Sequence, residues 1–151
     1  MTLLAKALDL ETAPSVRVTD TPEGLSAIQS PECAASIWQR RPLPGFQSWV
    51  DALDPDQLPN ARIMLRPEHV RDAATQIFET CGTPECSERD MLVDDTVALA
   101  NLFAELMDAS CLKLRFDVIN TNGCRLFHVD AITARLICTY RGPGTQYGFS
   151  S

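Results

Sequence analysis

The chain has 151 residues, of which 45% are hydrophobic and 22% are charged. These fractions are typical of a globular protein and exclude collagen-like, low-complexity and wholly disordered chains. The formal net charge of −7 argues against non-specific nucleic-acid binding. No apolar stretch approaches the roughly 20 residues of a membrane span, so we expect neither a nucleic acid nor a membrane as a partner.

The N-terminal sequence does not resemble a secretion signal. Lys6, Asp9 and Glu11 interrupt its apolar residues, and no basic segment precedes them. We therefore predict a cytoplasmic protein in which the six cysteines are mostly reduced. Cys81 and Cys86 form a single C-x4-C pair, which lacks the second pair of a zinc knuckle and is interpreted as core or incidental thiols.

The first third of the chain predicts an arm and two helices. Residues 1–22 show weak periodicity and are predicted to be a loosely ordered arm, with a single domain over residues 23–151. Residues 30–38 predict a helix, because Ser30 is a good cap and the apolar side chains recur at i, i+3 and i+4. Residues 46–53 repeat the same spacing and predict a short amphipathic helix.

Two longer helices are predicted in the middle of the chain. The first spans residues 67–81 and ends at Gly82. The second starts at Ser87, which is predicted to cap it, and runs to about Ala109. Its acidic residues, Asp95 among them, are predicted to face mainly outward.

The predicted strands lie mostly at the C-terminal end. Residues 62–65 predict a short strand, and residues 112–119 alternate apolar and charged side chains with the period of a half-buried strand. A turn at 120–123 predicts a hairpin with residues 124–130, and residues 133–140 predict a third strand. The order predicts an α+β fold, with N-terminal helices packed on a small C-terminal antiparallel sheet.

The most informative chemical pattern is the H-x-D pair of His128 and Asp130. Residues two apart on a strand share a face and lie about 6.6 Å apart, so an imidazole nitrogen and a carboxylate oxygen can bind one cation. Such a pair supplies two ligands of a zinc site, or two of the three ligands of a 2-His-1-carboxylate iron site. Cys124 has the same strand parity and would add a thiolate. The alternative is a His–Asp hydrogen bond that stabilises a turn.

A second imidazole is difficult to find for this site. The chain has two histidines, and the apolar stripe around His69 places that residue on the solvent side of its helix. A metal site at His128 and Asp130 would therefore use Cys124, another carboxylate or a second chain, or it would remain incomplete.

The C-terminal segment is locally basic, because residues 111–151 carry five basic and two acidic side chains. Arg135, Tyr140 and Arg141 are predicted to hold a small anionic ligand, a carboxylate or a phosphate, near the metal. The alternative is that Arg135 and Arg141 are solvated strand residues.

The run CRLFHVD from Cys124 to Asp130 and the run RLICTYRGPGT from Arg135 to Thr145 resemble the bacterial domain of unknown function 1826 family. The segment IWQR at 37–40 also resembles that family. The family has no established activity. Its members are often found beside zinc-responsive genes, including those of metallochaperone-type GTPases, and the resemblance therefore implies a role in zinc homeostasis.

The resemblance also implies an alternative activity. Family members continue past the glycine turn with further strands and a second histidine, which is similar to an iron- and 2-oxoglutarate-dependent oxygenase. This chain ends at Ser151 and is expected to lack that C-terminal part, leaving a partial double-stranded β-helix. We therefore predict a metal-binding protein that uses zinc or iron. A truncated or degenerate oxygenase and a non-metal protein-interaction module are the alternatives. Whether the protein is an enzyme, its catalytic residues, its protein partners and its oligomeric state stay open.

Overall fold

A computed structural model describes residues 2–6, 15–41, 45–119, 124–131 and 134–141. These residues form seven β-strands in one sheet and three α-helices, which confirms the α+β prediction. The strands are β1 Thr2–Lys6, β2 Ser15–Thr19, β3 Cys33–Trp38, β4 Ala61–Leu65, β5 Leu112–Ile119, β6 Cys124–Ala131 and β7 Ala134–Arg141. The helices are α1 Phe46–Ala52, α2 Val70–Cys81 and α3 Ser87–Met107, with short 3₁₀ helices at Pro22–Gln29, Pro55–Gln57 and Pro67–His69.

The sheet is larger than the sequence predicts, because N-terminal strands join it. Its strand order is β2-β3-β1-β7-β6-β5-β4. The β2–β3 pair is parallel, and the other neighbouring strands are antiparallel. The described strands all belong to this sheet, so the second facing sheet of a double-stranded β-helix is not seen among them.

Within the segment 1–22 that we predicted to be a loosely ordered arm, the described residues 2–6 and 15–19 form strands β1 and β2. In the sheet, β1 lies between β3 and β7 and pairs with both, while β2 forms the edge beyond β3. The two neighbours of β1 come from opposite ends of the chain. Its backbone pairing therefore depends on tertiary contacts that a local sequence pattern does not reveal.

The predicted helix over residues 30–38 is wrong, because Cys33–Trp38 is strand β3. Ala34, Ser36 and Ile37 are all buried, although successive residues of a strand point to opposite faces. A strand that is covered on both faces is apolar at successive positions, and its periodicity then resembles that of a helix.

The two long helices are confirmed. Helix α2 ends at Gly82, whose φ of 78° is the left-handed conformation that glycine adopts readily. Helix α3 differs at its start, because its N-cap is Cys86 and no side chain caps it. Ser87 lies inside the helix, where its Oγ is 3.1 Å from Glu88 Oε2. The predicted cap at Ser87 is therefore wrong by one residue.

Helices α1, α2 and α3 pack against one side of the sheet, which we call the helix-covered face. Phe116 of β5 meets Phe78 of α2 edge to face, with ring centroids 5.3 Å apart. Tyr140 of β7 meets Phe46 of α1 in the same way at 6.0 Å. Alternate residues of β5 and β7 are buried here: Leu112, Leu114, Phe116, Ala134, Leu136, Cys138 and Tyr140.

The opposite side of the sheet, which we call the second face, carries the residues that alternate with this core. On β5 they are Lys113, Arg115 and Asp117, all half-buried, and on β7 they include the exposed Arg135. The β5–β6 hairpin and the predicted strand that becomes β7 are confirmed. Alternation along β5 and β7 therefore places most of their apolar side chains on the helix-covered face and their charged side chains on the second face.

None of the described helices is long and apolar enough to cross a membrane.

Candidate functional site

Strand β6 carries the predicted metal ligands His128 and Asp130. Its backbone is extended from Cys124 to Ala131, and its register against β5 is regular throughout. Two residues on such a strand that are separated by one other lie on the same face. The side chains of β6 lie outside the described part of the structure, so metal ligation by His128, Asp130 and Cys124 stays a prediction.

The neighbours of these two positions are described, and they place the pair on the second face. His128 pairs with Arg115 of β5, and Asp130 pairs with Lys113 of β5 and Arg135 of β7. Residues that are directly opposite each other in a sheet share a face. Three cationic residues therefore flank the positions of the H-x-D pair.

A pair of like charges, Arg62 and Arg115, lies next to the H-x-D positions. Arg62 of β4 stands directly opposite Arg115, and like charges in such a position destabilise a sheet. Arg115 lies near an acidic side chain of its own strand, since its Nη2 is 3.5 Å from Asp117 Oδ2. Its Nε is buried, and no described residue accepts a hydrogen bond from it. An anion bound on this face would offset both unfavourable features.

Cys124 has the same strand parity as His128 and Asp130, but it lies too far along β6 to bind the same ion. Four residues of extended strand separate it from His128 by about 13 Å. The two side chains together with their bonds to the metal, of which a thiolate–zinc bond is about 2.3 Å, are shorter than this separation. Cys124 and His128 therefore cannot bind the same ion. We therefore leave Cys124 out of the site proposed below.

The structure separates the three residues that were predicted to hold an anion. Arg135 lies on the second face opposite Asp130, whereas Tyr140 is buried on the helix-covered face. Arg141 donates from Nη1 to the carbonyl oxygen of Leu53 at 2.9 Å. Alternation along β7 is the reason for the separation of Arg135 from Tyr140, and only Arg135 remains next to the H-x-D positions.

Among the described residues, no three histidine, cysteine, aspartate or glutamate side chains form a group that could hold a metal ion. The cysteines of the C-x4-C pair, Cys81 and Cys86, are both free. Cys81 accepts a hydrogen bond from the backbone N–H of Asn60 at 3.5 Å. This contact fits the interpretation of Cys81 as an incidental thiol.

A second cluster of chemical groups lies on the helix-covered face, around Arg40 and Asp95. The Arg40 guanidinium forms an ion pair through Nη2 with Asp95 Oδ1, and both side chains are 22% exposed. The hydroxyl of Tyr140 donates to the other oxygen of Asp95 at 2.6 Å. The cluster thereby connects Arg40, which lies two residues after the end of β3, to helix α3 and strand β7.

Two further contacts fix the position of the Arg40 guanidinium. Its Nη1 lies 3.8 Å from the sulfur of Cys138, and its central carbon lies 4.7 Å from the centre of the Trp38 ring. The second contact has the geometry of a cation–π interaction. Arg40 therefore has a defined orientation before any ligand binds.

Burial and Asp95 set the ionisation of this cluster. Burial, followed by the nearby negative charges and the hydrogen bond to Asp95, raises the pKa of the Tyr140 phenol well above 10.0. Burial alone would lower the pKa of Arg40, but the hydrogen bond to Asp95 and its negative charge outweigh burial and raise that pKa. Tyr140 is thus a neutral donor, and Arg40 stays a cation.

The sequence-based prediction missed this cluster, because Asp95 was expected to face outward. The helical spacing of α3 contains the missing signal. Asp95 follows the buried Leu92 by three residues and precedes the buried Leu99 by four, so it lies beside the apolar stripe. No local pattern identifies its partner Arg40, which is 55 residues away in the chain.

Comparison with known proteins identifies a family but no individual relative. No curated protein and no solved structure matches the chain. The model of a family described as a protein of unknown function, DUF1826, matches residues 19–151, which include the H-x-D pair and the Arg40–Asp95 cluster. The chain therefore belongs to the DUF1826 family.

Proposed function

We propose that this protein binds a divalent metal ion, zinc or iron, through His128 and Asp130, and that it acts in zinc homeostasis. The observation that carries the proposal is the strand register, which puts both positions on one face of a strand that is paired on both sides. A strand paired on both sides holds its residues in a fixed relation, as a metal site requires. The zinc-related setting rests on the resemblance of the H-x-D segment.

The charges around the pair favour an anion as the partner of the metal. A divalent cation beside Lys113, Arg115 and Arg135 is repelled by their positive charges, and Asp117 offsets the charge of Arg115 in part. A small carboxylate or phosphate that contacts these residues reverses the repulsion and adds oxygen ligands to the two from the protein. The metal and the anion are therefore expected to bind cooperatively, each raising the affinity for the other.

Metal analysis with the two histidines as a matched pair tests the metal site. We expect the purified protein to bind one equivalent of zinc or iron, and His128→Ala to lose it. His69→Ala is the control, because His69 is exposed and lies before α2, and this variant is expected to keep the metal. Equal metal content in both variants, or none above background in the unsubstituted protein, would contradict the proposal.

The anion requirement has a separate test. Zinc affinity is measured with and without inorganic phosphate or 2-oxoglutarate, and the anion is expected to raise it by about 5-fold to 150-fold. Arg115→Gln should reduce this enhancement while leaving zinc binding without the anion unchanged or stronger. An enhancement of equal size in Arg115→Gln would remove the anion from the proposal without removing the metal.

The alternative is an iron- and 2-oxoglutarate-dependent oxygenase of truncated or degenerate type. The cationic residues beside the H-x-D positions favour it, because 2-oxoglutarate is a dianion that needs such partners. This alternative predicts iron-dependent turnover of 2-oxoglutarate that His128→Ala abolishes and His69→Ala retains. Absence of 2-oxoglutarate binding in the presence of iron would exclude it.

A further inference from the structure

A cleft opens beside the Arg40–Asp95 pair on the helix-covered face. The H-x-D positions lie on the second face, on the other side of the sheet. This Arg40 cleft has a volume of about 90 Å³ and is bordered by α1, α3 and β7. Residues in its wall include Arg41, Phe46, Gln47 and Met91. We propose that the Arg40 cleft binds a small organic monocarboxylate, independently of the metal site.

The charge of the wall selects an anion. Arg40 and Arg41 contribute two positive charges, and Asp95 contributes one negative charge. Both oxygens of Asp95 already accept hydrogen bonds, from Arg40 and from the Tyr140 hydroxyl. The remaining single positive charge matches one carboxylate better than it matches a phosphate dianion. Arg41 is exposed at the edge of the cleft, and its planar guanidinium suits bidentate binding of a carboxylate.

The other groups of the wall are apolar or held in place. The side-chain amide of Gln47 donates to the carbonyl oxygen of Tyr140 at 2.9 Å and to Asp51 Oδ1 at 3.0 Å. The Phe46 ring is fixed by its edge-to-face contact with Tyr140, and Met91 adds a polarisable thioether. This wall therefore offers an apolar surface beside the cationic groups, which suits a carboxylate with a short aliphatic or aromatic body.

The ion pair remains accessible from the cleft. Arg40 and Asp95 each remain 22% exposed although they are fixed by several contacts, and both line the cleft. The volume of about 90 Å³ has room for several water molecules, since one needs roughly 10–15 Å³ on the same measure. A small ligand can displace these waters without any rearrangement of the buried core.

The test is titration of the full chain with benzoate, propionate and inorganic phosphate, followed by calorimetry or ligand-detected NMR. We expect both carboxylates to bind and phosphate to bind much more weakly. Arg41→Gln should weaken benzoate binding by about 10-fold or more, because it removes a charge-assisted contact. Arg17→Gln is the matched control, since Arg17 is an exposed arginine on edge strand β2, and it should bind benzoate normally.

Two further results decide the proposal. His128→Ala should retain benzoate binding, so a loss in this variant would move the carboxylate to the second face and overturn the assignment to the cleft. Absence of carboxylate binding, binding of phosphate alone, or equal binding by Arg41→Gln and the unsubstituted protein would each overturn it. Circular dichroism confirms that each variant is folded.

Discussion

The two faces of the sheet come from the same strands but differ in composition and burial. On β5, Phe116 is fully buried against α2, whereas its neighbour Arg115 lies half-buried on the second face. The helix-covered face has an apolar core with an ion cluster, in which Arg40 and Tyr140 both contact Asp95. On the second face, Arg62 and Arg115 stand opposite each other.

The difference shows which face contributes more to folding stability. Burial of apolar side chains is the main favourable contribution to folding, and the helix-covered face provides it. The opposed arginines of the second face destabilise the sheet instead of stabilising it. The following substitutions test this division, from the largest expected effect to the smallest.

Phe116→Ala should give the largest loss, because it removes a fully buried ring and its contact with Phe78. We expect the free energy of unfolding to fall by about 3–5 kcal/mol, measured by urea denaturation. Arg115→Gln is the neighbouring control on the second face and should change stability by less than about 1 kcal/mol. Similar losses in the two variants would show that both faces are structural.

Asp95→Ala removes the acidic partner of Arg40 and Tyr140. Because the pair is partly exposed, we expect a loss of about 2–3 kcal/mol, less than for a fully buried pair. Asp94→Ala is the matched control, since Asp94 is 66% exposed and pairs with the exposed Arg71 at 2.8 Å. It should cost no more than about 1 kcal/mol. Equal losses would mean that the cluster on α3 has no special role.

Tyr140→Phe removes the hydroxyl that donates to Asp95, and at neutral pH it should cost about 1.5 kcal/mol. The raised pKa of Tyr140 also predicts a dependence on alkaline pH. Folding holds the phenol neutral, so its contribution is complete below pH 10.0, the ordinary value for tyrosine, and is lost as the pH rises above it.

Urea denaturation on both sides of pH 10.0 measures this loss, and Tyr140→Phe should show a smaller decline than the unsubstituted protein. Ultraviolet titration provides a second measurement, because the chain has two tyrosines. Tyr140→Phe should eliminate the component that ionises at the higher pH. A decline of the same size in both proteins would contradict a neutral, buried Tyr140.

Arg62→Gln should have the smallest effect, and the effect should have the opposite sign. Removing one of two opposed cations is expected to raise the free energy of unfolding by about 0.2–1 kcal/mol at low salt, with a smaller gain at high salt. Arg17→Gln on β2 is the control and should leave stability unchanged. A clear destabilisation by Arg62→Gln would show that this arginine has a structural partner and would remove the like-charge argument.

The sequence predicted the elements whose patterns are local. Helix α2 has apolar residues at helical spacing and Gly82 at its end, and both features depend only on neighbouring residues. The hairpin of β5 and β6 was predicted from the alternation in the β5 segment and from the turn residues at 120–123 of the sequence. Strand β3 was mistaken for a helix because burial on both faces removes the alternation, and β1 was missed because both of its partners are distant in sequence.

The candidate sites show the same limit. The sequence identified His128 and Asp130, because the residue types and the spacing of two are both visible locally. It named Arg135 as an anion-binding residue near the metal, but it did not identify Lys113 and Arg115, since these two meet the H-x-D positions only through strand pairing. It also missed the cleft, whose walls come from α1, α3 and β7 and from the residues that follow β3.

Taken alone, the sequence determined an α+β protein with two amphipathic helices, a C-terminal hairpin and a His–Asp pair of fixed parity. Those features follow from periodicity, which requires only that adjacent residues share one backbone conformation. The tertiary structure decided that the N-terminal strands complete the sheet, that cations surround the pair, and that Arg40 meets Asp95 beside a cleft. Each of these depends on contacts between residues far apart in the chain, and such contacts exist only once the core has packed.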